Sequence, residues 1–436
     1  MSTGRSCATR SSRRVGPVSD DRLRSARDAL RHQREWFARV AEEAAAGTPI
    51  ALVNADVPHE LFRAFDVPYV VNQWWSSVAA SRGAAQSGLD AVARAGLPRD
   101  SEPYNLIGMG NVLNGDTDVV PGWGSLPRPA LVATDYTGDV TRKLFEAWRD
   151  VVGVELFAFE SVAQTAPVDE WWRFIADDWE CVVGSRRIDL MVAELHELRV
   201  VLERISGRFY DEDRLREMLV LGNEQAEWNR RTRDLIAKAR PLPVRVNDTI
   251  PAVMLPQWHR GTEWARDAAR ALHDEIAERV AGGYAVVPDE RARLMWIGRG
   301  LWFDMDFYRH FEEHYGAVFV WSMYLSIAAD GYARHGGEPL RALASRFIGF
   351  HERLYVAPEA SEWYVAQARQ HGVDGVVHLV SDDPRGGWAI TAALEKAGIP
   401  VFVLRADNAD ESTYDAKEVR AQVAEWLRML RPTGPT

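Results

Sequence analysis

Short apolar runs alternate with helical patterns in the first third of the chain. The run IALVNADVP (50–58) stops at a polar turn, and HELFRAFDVPYVVNQ (59–73) then has a helical pattern that leads to a second apolar run. The same order returns in PALVATDY (129–136), TRKLFEAWRDVVG (141–153) and VELFAFE (154–160). Alternating short strands and helices predict a parallel sheet with ligand-binding groups at the carboxyl ends of its strands.

The pattern changes to that of long helices between about Val168 and Val280, and short apolar runs return after Asp289. Asp211 precedes one helical pattern and is its expected N-cap. We therefore predict an α/β protein with two doubly wound, flavodoxin-like parallel-sheet domains and a helical middle. The predicted organisation is a disordered tail (1–20), an N-terminal α/β domain with a leading helix (21–165), a helical segment (166–288) and a C-terminal α/β domain (289–436).

Charge and cysteine content narrow the function classes. A formal net charge of −11 argues against a general binder of nucleic acids or anionic membranes, which needs a basic face. No apolar run is long enough to span a bilayer, and the Ser- and Arg-rich first residues lack the apolar core of a secretory signal. The two cysteines, Cys7 and Cys181, lie far apart. A cytoplasmic protein without a structural disulfide is predicted.

Several stretches carry a resemblance to a known family. They are ELFRAFDVPYV (60–70), ISGRFYDEDRLREMLVLGNEQAEWNRR (205–231), GVDGVVHLV (372–380) and EKAGIPVFVLRAD (395–407). Together with the order of the segments, they make the chain similar to the subunits of the 2-hydroxyacyl-CoA dehydratase and benzoyl-CoA reductase family from about residue 30 to 430.

The resemblance implies a pair of similar subunits that act on an acyl-CoA, each with a four-iron cluster between its two α/β domains. It also implies three cysteine ligands, one at each of three strand ends. In this sequence the three places fall near Glu102, near Gly138 or Asp139, and near Ser381 or Asp382. A cluster is normally held by several thiolates, so we expect no cofactor in this chain and a [4Fe-4S] cluster in a partner subunit.

The polar residues at these places leave several interpretations open. Glu102, Asp139 and Asp382 would converge between the domains, where carboxylate oxygens suit a hard divalent ion. Polar residues that fill a vacated, water-filled cleft are the favoured interpretation, so no metal site is predicted. A third hypothesis assigns the acid–base catalysis of adding or removing water to Glu102, Asp135 and Asp382, with Tyr104 or Tyr136 as a neutral donor. The candidate catalytic residues are therefore Glu102, Tyr104, Asp135, Asp139 and Asp382.

Aromatic residues crowd the same strand ends. Trp74, Trp75, Trp321 and Tyr324 are candidates for the wall of an acyl pocket, and ordinary core packing is the alternative.

Two arginines follow predicted strands in glycine-containing turns, Arg299 in IGRG and Arg385 in DPRGG. Neither turn is a full dinucleotide fingerprint or a P-loop. Because lysine occurs only at positions 143, 238, 396 and 417, contacts to the phosphates of coenzyme A would fall to these arginines.

The leading functional hypothesis is a cluster-free subunit of a heteromeric dehydratase- or reductase-like complex. A homologous subunit would be the partner, and an acyl-CoA or similar small molecule would be the ligand. The alternatives are a stand-alone lyase for an acyl-CoA-type substrate that uses carboxylates or a hard metal ion, and a non-catalytic thioester-binding protein.

Overall fold

The structure, a computed structural model, describes residues 22–136, 138–160, 168–353, 359–381 and 387–430. Its strands are β1 (Ala51–Val53), β2 (Tyr69–Val71), β3 (Leu131–Asp135), β4 (Glu155–Phe159), β5 (Ala292–Ile297), β6 (Ala317–Ser322), β7 (Gly375–Val380) and β8 (Val401–Arg405). Its helices are α1 (Arg24–Ala45), α2 (His59–Ala64), α3 (Asn72–Ser81), α4 (Ala85–Arg94), α5 (Pro103–Asn114), α6 (Asp139–Ala147), α7 (Trp179–Val183), α8 (Ser185–Ser206), α9 (Glu212–Lys238), α10 (Val246–Trp258), α11 (Glu263–Ala281), α12 (Asp306–Tyr315), α13 (Met323–Asp330), α14 (Pro339–Arg353), α15 (Glu359–Gln370), α16 (Gly387–Lys396) and α17 (Ala416–Met429).

The strands form two four-stranded sheets with the same topology. The first has the order β2-β1-β3-β4 and the second the order β6-β5-β7-β8, and every neighbouring pair is parallel. The predicted fold class, two doubly wound parallel sheets, is therefore confirmed. In each sheet the second strand in sequence lies on one side of the first, and the third lies on the other side. This reversal places a crevice at the carboxyl ends of β1 and β3, and of β5 and β7.

The helices of the middle segment lie between the two sheets in sequence. Their bounds differ from the sequence prediction in two places. Asp211 is the N-cap of α9, as predicted, since its side chain accepts a hydrogen bond from the Arg214 backbone N–H. The helical pattern that follows Val168 is interrupted at Gly184, which separates α7 from α8. The φ of this residue is +94°, a conformation that favours glycine. Helix α10 was not predicted from the sequence, because Pro251 and Pro256 within it are normally helix breakers.

Helix α1 bridges the helical middle and the first sheet. Glu275 of α11 accepts hydrogen bonds from the backbone N–H groups of Arg24 and Ser25, at 2.7 and 2.9 Å, and so satisfies the first turn of α1. Farther along α1, the ring of Phe37 stacks on Trp75 of α3 at a centroid distance of 5.2 Å. No helix in the described ranges is both long and apolar enough to cross a membrane.

Candidate functional site

A cavity of about 330 Å³ lies where the carboxyl ends of the two sheets face each other. On the side of the first sheet, the cavity is lined by the residues after β1, by one face of α3 along its length, and by the first turns of α5 and α6. On the side of the second sheet it is lined by the turn after β5 and by α13, and α10 closes a third side. The volume suits a small molecule or the acyl part of a larger one. Its lining includes Asn54, Asp56, Gln73, Trp74, Ser77, Tyr104, Asn105, Trp123, Thr141, Trp258, Arg299, Trp302, Tyr324 and Tyr332.

Aromatic rings form much of the cavity wall. Tyr104 and Trp302 stack with an interplanar angle of 15° and a centroid distance of 6.4 Å, and Trp302 continues the wall to Tyr324 at 6.0 Å. On the side of the first sheet, Trp74 meets Trp123 edge to face at 5.3 Å. Flat, apolar walls of this kind favour a ligand with an apolar or planar acyl group.

The glycine turn after β5 brings Arg299 to this wall. A Cβ atom at Gly298 would lie 2.7 Å from the Leu379 carbonyl oxygen, and its φ is +107°, so the tight turn requires glycine. The Arg299 guanidinium lies 5.1 Å from the centroid of the Tyr104 ring, and the Gly300 backbone N–H donates to the Tyr324 hydroxyl at 3.0 Å. A positive charge therefore stands against an aromatic face beside the cavity.

Tyr104 and Tyr324 of the cavity wall are neutral at physiological pH. Burial, and then the neighbouring Tyr324 hydroxyl, raise the pKa of Tyr104 well above its ordinary value. Burial likewise raises the pKa of Tyr324. Both phenols therefore keep their protons, and Tyr104 has the protonation state that a hydrogen-bond donor to a ligand needs.

A relay of side-chain hydrogen bonds runs along the floor of the cavity. The Ala55 backbone N–H donates to Gln73 Oε1 at 2.8 Å, and Gln73 Nε2 donates to Asn105 Oδ1 at 2.9 Å. Asn105 Nδ2 then donates to Glu102 Oε2 at 2.7 Å, and the Thr141 hydroxyl donates to the same carboxylate. The relay ties the ends of β1, β2 and β3 together through helices α3, α5 and α6.

The central crevice of the first sheet holds a buried carboxylate. Asp135, the last residue of β3, is buried and accepts a hydrogen bond from Asn54 Nδ2 at 3.0 Å. Asn54 follows β1 directly and lines the cavity. Asp135 thus lies at the predicted strand end, one side chain away from the cavity.

The predicted site residues divide into those at the cavity and those elsewhere. Trp74, Tyr104, Arg299 and Tyr324 line it, and Glu102 and Asp135 are hydrogen-bonded to residues that do. Asp382 and Arg385 lie outside the described residues.

Besides Glu102 and Asp135, three predicted site residues within the described ranges do not line the cavity. Asp139 is exposed at the start of α6. Trp75 is fully buried and donates to Asn111 Oδ1, and Trp321 is buried and donates to Gln367 Oε1. Both tryptophans therefore have the core-packing arrangement that was the alternative interpretation.

The amide side chains of the floor and the whole of α10 were not predicted from the sequence. Gln73 lies two residues after β2, and Asn105 lies in the first turn of α5. Their positions next to apolar runs were the sequence signal that could have marked them as site residues. Trp258 of α10 could not be assigned to the cavity, because its helix was not predicted.

The fold and the cavity define a two-domain α/β protein with a pocket between its sheets. The chain belongs to the family of the 2-hydroxyglutaryl-CoA dehydratase D-component, whose sequence model matches residues 54–430. A similar protein is the (R)-phenyllactyl-CoA dehydratase alpha subunit of Clostridium sporogenes, which is 23% identical over 258 residues. That alignment covers 59% of this chain and 59% of the relative.

The residues of this chain do not fit the iron–sulfur cluster that the family resemblance implies. Cys181, the one cysteine within the described ranges, is exposed on α7, and Cys7 is the other cysteine of the whole sequence. Near the implied ligand positions, Glu102 is occupied by hydrogen bonds from Asn105 and Thr141. Within the described ranges, no group of three or more His, Cys, Asp or Glu side chains is arranged to hold a metal ion.

Proposed function

We propose that this protein is a cluster-free subunit of a heteromeric 2-hydroxyacyl-CoA dehydratase-like complex and that its cavity holds the acyl part of an acyl-CoA. The observation that carries the proposal is the combination of an aromatic cavity at the strand ends with too few cysteines for a cluster. A homologous subunit with the three cysteines would supply the redox chemistry, as in the pairing that the family resemblance implies.

The groups around the cavity suit a thioester. The stacked rings of Tyr104 and Trp302 match a flat or apolar acyl chain. The Arg299 guanidinium offers a charged donor to the thioester carbonyl or to a phosphate of coenzyme A. The neutral Tyr104 hydroxyl offers a second donor. These residues would bind and orient the substrate. The cytoplasmic location of the protein stays a prediction.

A stand-alone lyase is the second candidate, and Glu102 favours it. Its carboxylate is held by Asn105 and Thr141, both of which line the cavity. A carboxylate so oriented could move a proton at the carbon next to the thioester. Turnover of a 2-hydroxyacyl-CoA by the purified chain alone, in air and without iron, would favour this candidate over the heteromeric subunit.

Co-expression tests the heteromeric proposal. The chain is produced alone and together with a homologous chain that carries the three cysteines, under anaerobic conditions, and iron and acid-labile sulfide are measured. We expect an iron-free chain alone and a stable complex with one four-iron cluster per pair. A stoichiometric cluster in the isolated chain, or no complex with the partner, would refute the proposal.

Ligand binding is tested separately by the rise in thermal midpoint with acyl-CoA compounds, since binding to the native state stabilises it. Ser77 lines the cavity and is half-buried, so Ser77→Phe should fill space there and remove the rise. Ser185 is exposed at the start of α8, and Ser185→Phe is the matched control that should keep it. Equal stabilisation of both variants would place the ligand outside the cavity.

A further inference from the structure

One face of α3 runs along the cavity from its floor to the protein surface. The residues on this face are Gln73, Trp74, Ser77, Val78 and Ser81, and all of them line the cavity. Gln73 is buried in the hydrogen-bond relay of the floor, whereas Ser81 is exposed. The helical segment between Gln73 and Ser81 is about 12 Å long at a rise of about 1.5 Å per residue. The cavity is therefore an elongated channel that follows α3.

The outer end of this channel lies at Ser81. Among the described residues that line the cavity, Ser81 alone is exposed. Leu30 of α1 and Trp123 also line the cavity and are half-buried. These three residues define the outer edge of the cavity on the side of α1 and α3, where a ligand that fills the channel reaches solvent.

Helix α1 brings a cation to the outer edge. Arg34 lies one helical turn after Leu30, on the same side of α1, about 40° around the helix axis. Its guanidinium carbon lies 5.6 Å from the centroid of the Trp123 ring. The exposed Arg34 side chain is therefore held against a residue of the cavity lining by a cation–π contact.

Arg82 is a second cation at the outer edge. It follows Ser81 directly, as the C-cap of α3, and its side chain is exposed. Within the described ranges, neither Arg34 nor Arg82 forms an ion pair with a carboxylate, whereas Arg31 on α1 pairs with Asp28 at 2.9 Å. The charges of Arg34 and Arg82 are thus available to an anionic group of a ligand.

The channel has a different cation at its inner end. The Arg299 guanidinium lies against the ring of Tyr104, and the next residue, Asn105, accepts a hydrogen bond from Gln73 at 2.9 Å. Arg299 therefore stands near the Gln73 end of α3, and Arg82 at the opposite end. The cavity lies between two sites of positive charge that are separated by the length of α3.

The wall between the two ends offers hydrogen-bond acceptors. The Ser77 hydroxyl donates to the Trp74 carbonyl oxygen at 2.7 Å, and the Ser81 hydroxyl donates to the Val78 carbonyl oxygen at 2.9 Å. Because each hydroxyl proton is used within the helix, each oxygen remains an acceptor for an N–H group of a ligand. The two acceptors lie one helical turn apart along the channel.

These features match the parts of an acyl-CoA. Its thioester is joined to its phosphates by the long pantetheine arm, which carries amide N–H groups, and arginine is well suited to binding phosphate. We propose that Arg34 and Arg82 form a subsite for the phosphates of coenzyme A, with the pantetheine arm along α3 and the thioester beside Arg299. The inference rests on the proposed function and makes it more specific, because it places the phosphates away from Arg299.

Two ligands that differ only in the phosphate-bearing part test the subsite. Phenylacetyl-CoA and S-phenylacetylpantetheine are titrated into the purified full chain by calorimetry. In the double variant Arg34→Gln/Arg82→Gln, the affinity for phenylacetyl-CoA should fall about tenfold and the affinity for S-phenylacetylpantetheine should not change. In the unmodified chain, added sodium chloride should weaken the phenylacetyl-CoA complex more than the pantetheine complex, because salt screens exposed charges.

A matched double variant removes the same amount of charge elsewhere. Arg39 is exposed on the face of α1 opposite Leu30, about 180° around the axis, and Arg94 is exposed at the end of α4. Arg39→Gln/Arg94→Gln should keep the affinity for phenylacetyl-CoA within about twofold of the unmodified chain, since surface charges away from the site contribute little.

The outcomes separate this inference from the proposed function. If Arg34→Gln/Arg82→Gln binds phenylacetyl-CoA as tightly as the unmodified chain or the control variant, the phosphate subsite is refuted and the proposed function stands. An equal loss of affinity for both ligands would also refute it, because the arginines would then act on the shape of the cavity. If the unmodified chain binds neither ligand, the proposed function itself fails, and the subsite with it.

Discussion

The Thr141 hydroxyl donates to the Glu102 carboxylate at 2.9 Å from Oε2 and 3.0 Å from Oε1. Glu102 stands at one place where the family resemblance implies a cysteine, and Thr141 is in the first turn of α6, next to another. The two chain segments at which the resemblance implies cysteine ligands are thus joined by a direct hydrogen bond between their side chains. The Glu102 backbone has a φ of +50°, a left-handed conformation that is costly for a residue with a side chain.

Removal of this carboxylate should destabilise the protein. In Glu102→Ala the Asn105 amide and the Thr141 hydroxyl lose their acceptor, so we expect the free energy of unfolding to fall by about 1–3 kcal/mol in urea titrations. Glu43 is exposed on α1, and Glu43→Ala should leave stability within about 0.5 kcal/mol of the unmodified chain. A Glu102→Ala variant as stable as this control would show that the relay contributes little.

Glu60 should be far more sensitive to substitution. Glu60→Gln leaves Arg260 and Arg346 buried without their carboxylate, and breaking a buried ion pair in this way costs about 3–5 kcal/mol. Chemical denaturation in a single buffer measures the loss, with Glu43→Gln as the exposed control. A loss of less than about 1 kcal/mol would mean that water reaches these arginines.

The contact between α4 and α5 depends on glycine. A Cβ atom at Gly110 would lie 1.9 Å from the Gly88 carbonyl oxygen, so Gly110→Ala must push the two helices apart. We expect a loss of about 1–3 kcal/mol or failure to fold. At Gly222 in α9 the nearest neighbour of a Cβ is 4.0 Å away, and Gly222→Ala should stabilise by about 0.5–1 kcal/mol. Thermal unfolding of the two variants should therefore shift in opposite directions.

Glu312 should make stability depend on pH. Burial raises its pKa from 4.5 to about 7 even though Arg245 Nε donates to its Oε2 at 2.9 Å. The folded state holds the proton more tightly than the unfolded state, so the contribution of Glu312 is most favourable below pH 4.5 and declines as pH rises towards 7. The decline amounts to roughly 3 kcal/mol.

Unfolding free energies measured across this range should show the decline, and Glu312→Gln should flatten it because the amide does not titrate. The same slope in the unmodified chain and the Gln variant would assign the pH dependence to other groups.

The sheet topology could be predicted because each strand is a short apolar run that a polar turn ends. That signal also placed Asp135 and Arg299 at strand ends, since the carboxyl ends of parallel strands share one edge. Tyr104 and Glu102 were expected at a strand end too, but they lie at the start of α5, which follows α4 and not a strand. The same signal could not separate Trp74, which lines the cavity, from Trp75, which packs on Phe37. Neighbouring residues on a helix differ by about 100° in direction, and the orientation of α3 is fixed by its tertiary contacts.

The cavity was harder to predict than the fold. Residues of α10 line the cavity although they are distant in sequence from the strand ends. The helix was not predicted because its two prolines normally interrupt helices. The buried ion pairs of Glu60 with Arg260 and Arg346 join one residue from each of three distant segments, so no local sequence pattern predicts them. Sequence spacing identified groups near strand ends, and packing between domains determined which of them meet.

The floor of the cavity has a fixed polarity. The Ala55 N–H can only donate, so Gln73 turns its Oε1 towards Ala55 and its Nε2 towards Asn105 Oδ1, and Asn105 Nδ2 is left to donate to Glu102. Neutral amides of this kind do not exchange protons as acids and bases do. The two amides therefore orient a ligand but carry no proton, and a proton that reaches or leaves a bound acyl group must travel through a hydroxyl, a carboxyl or water.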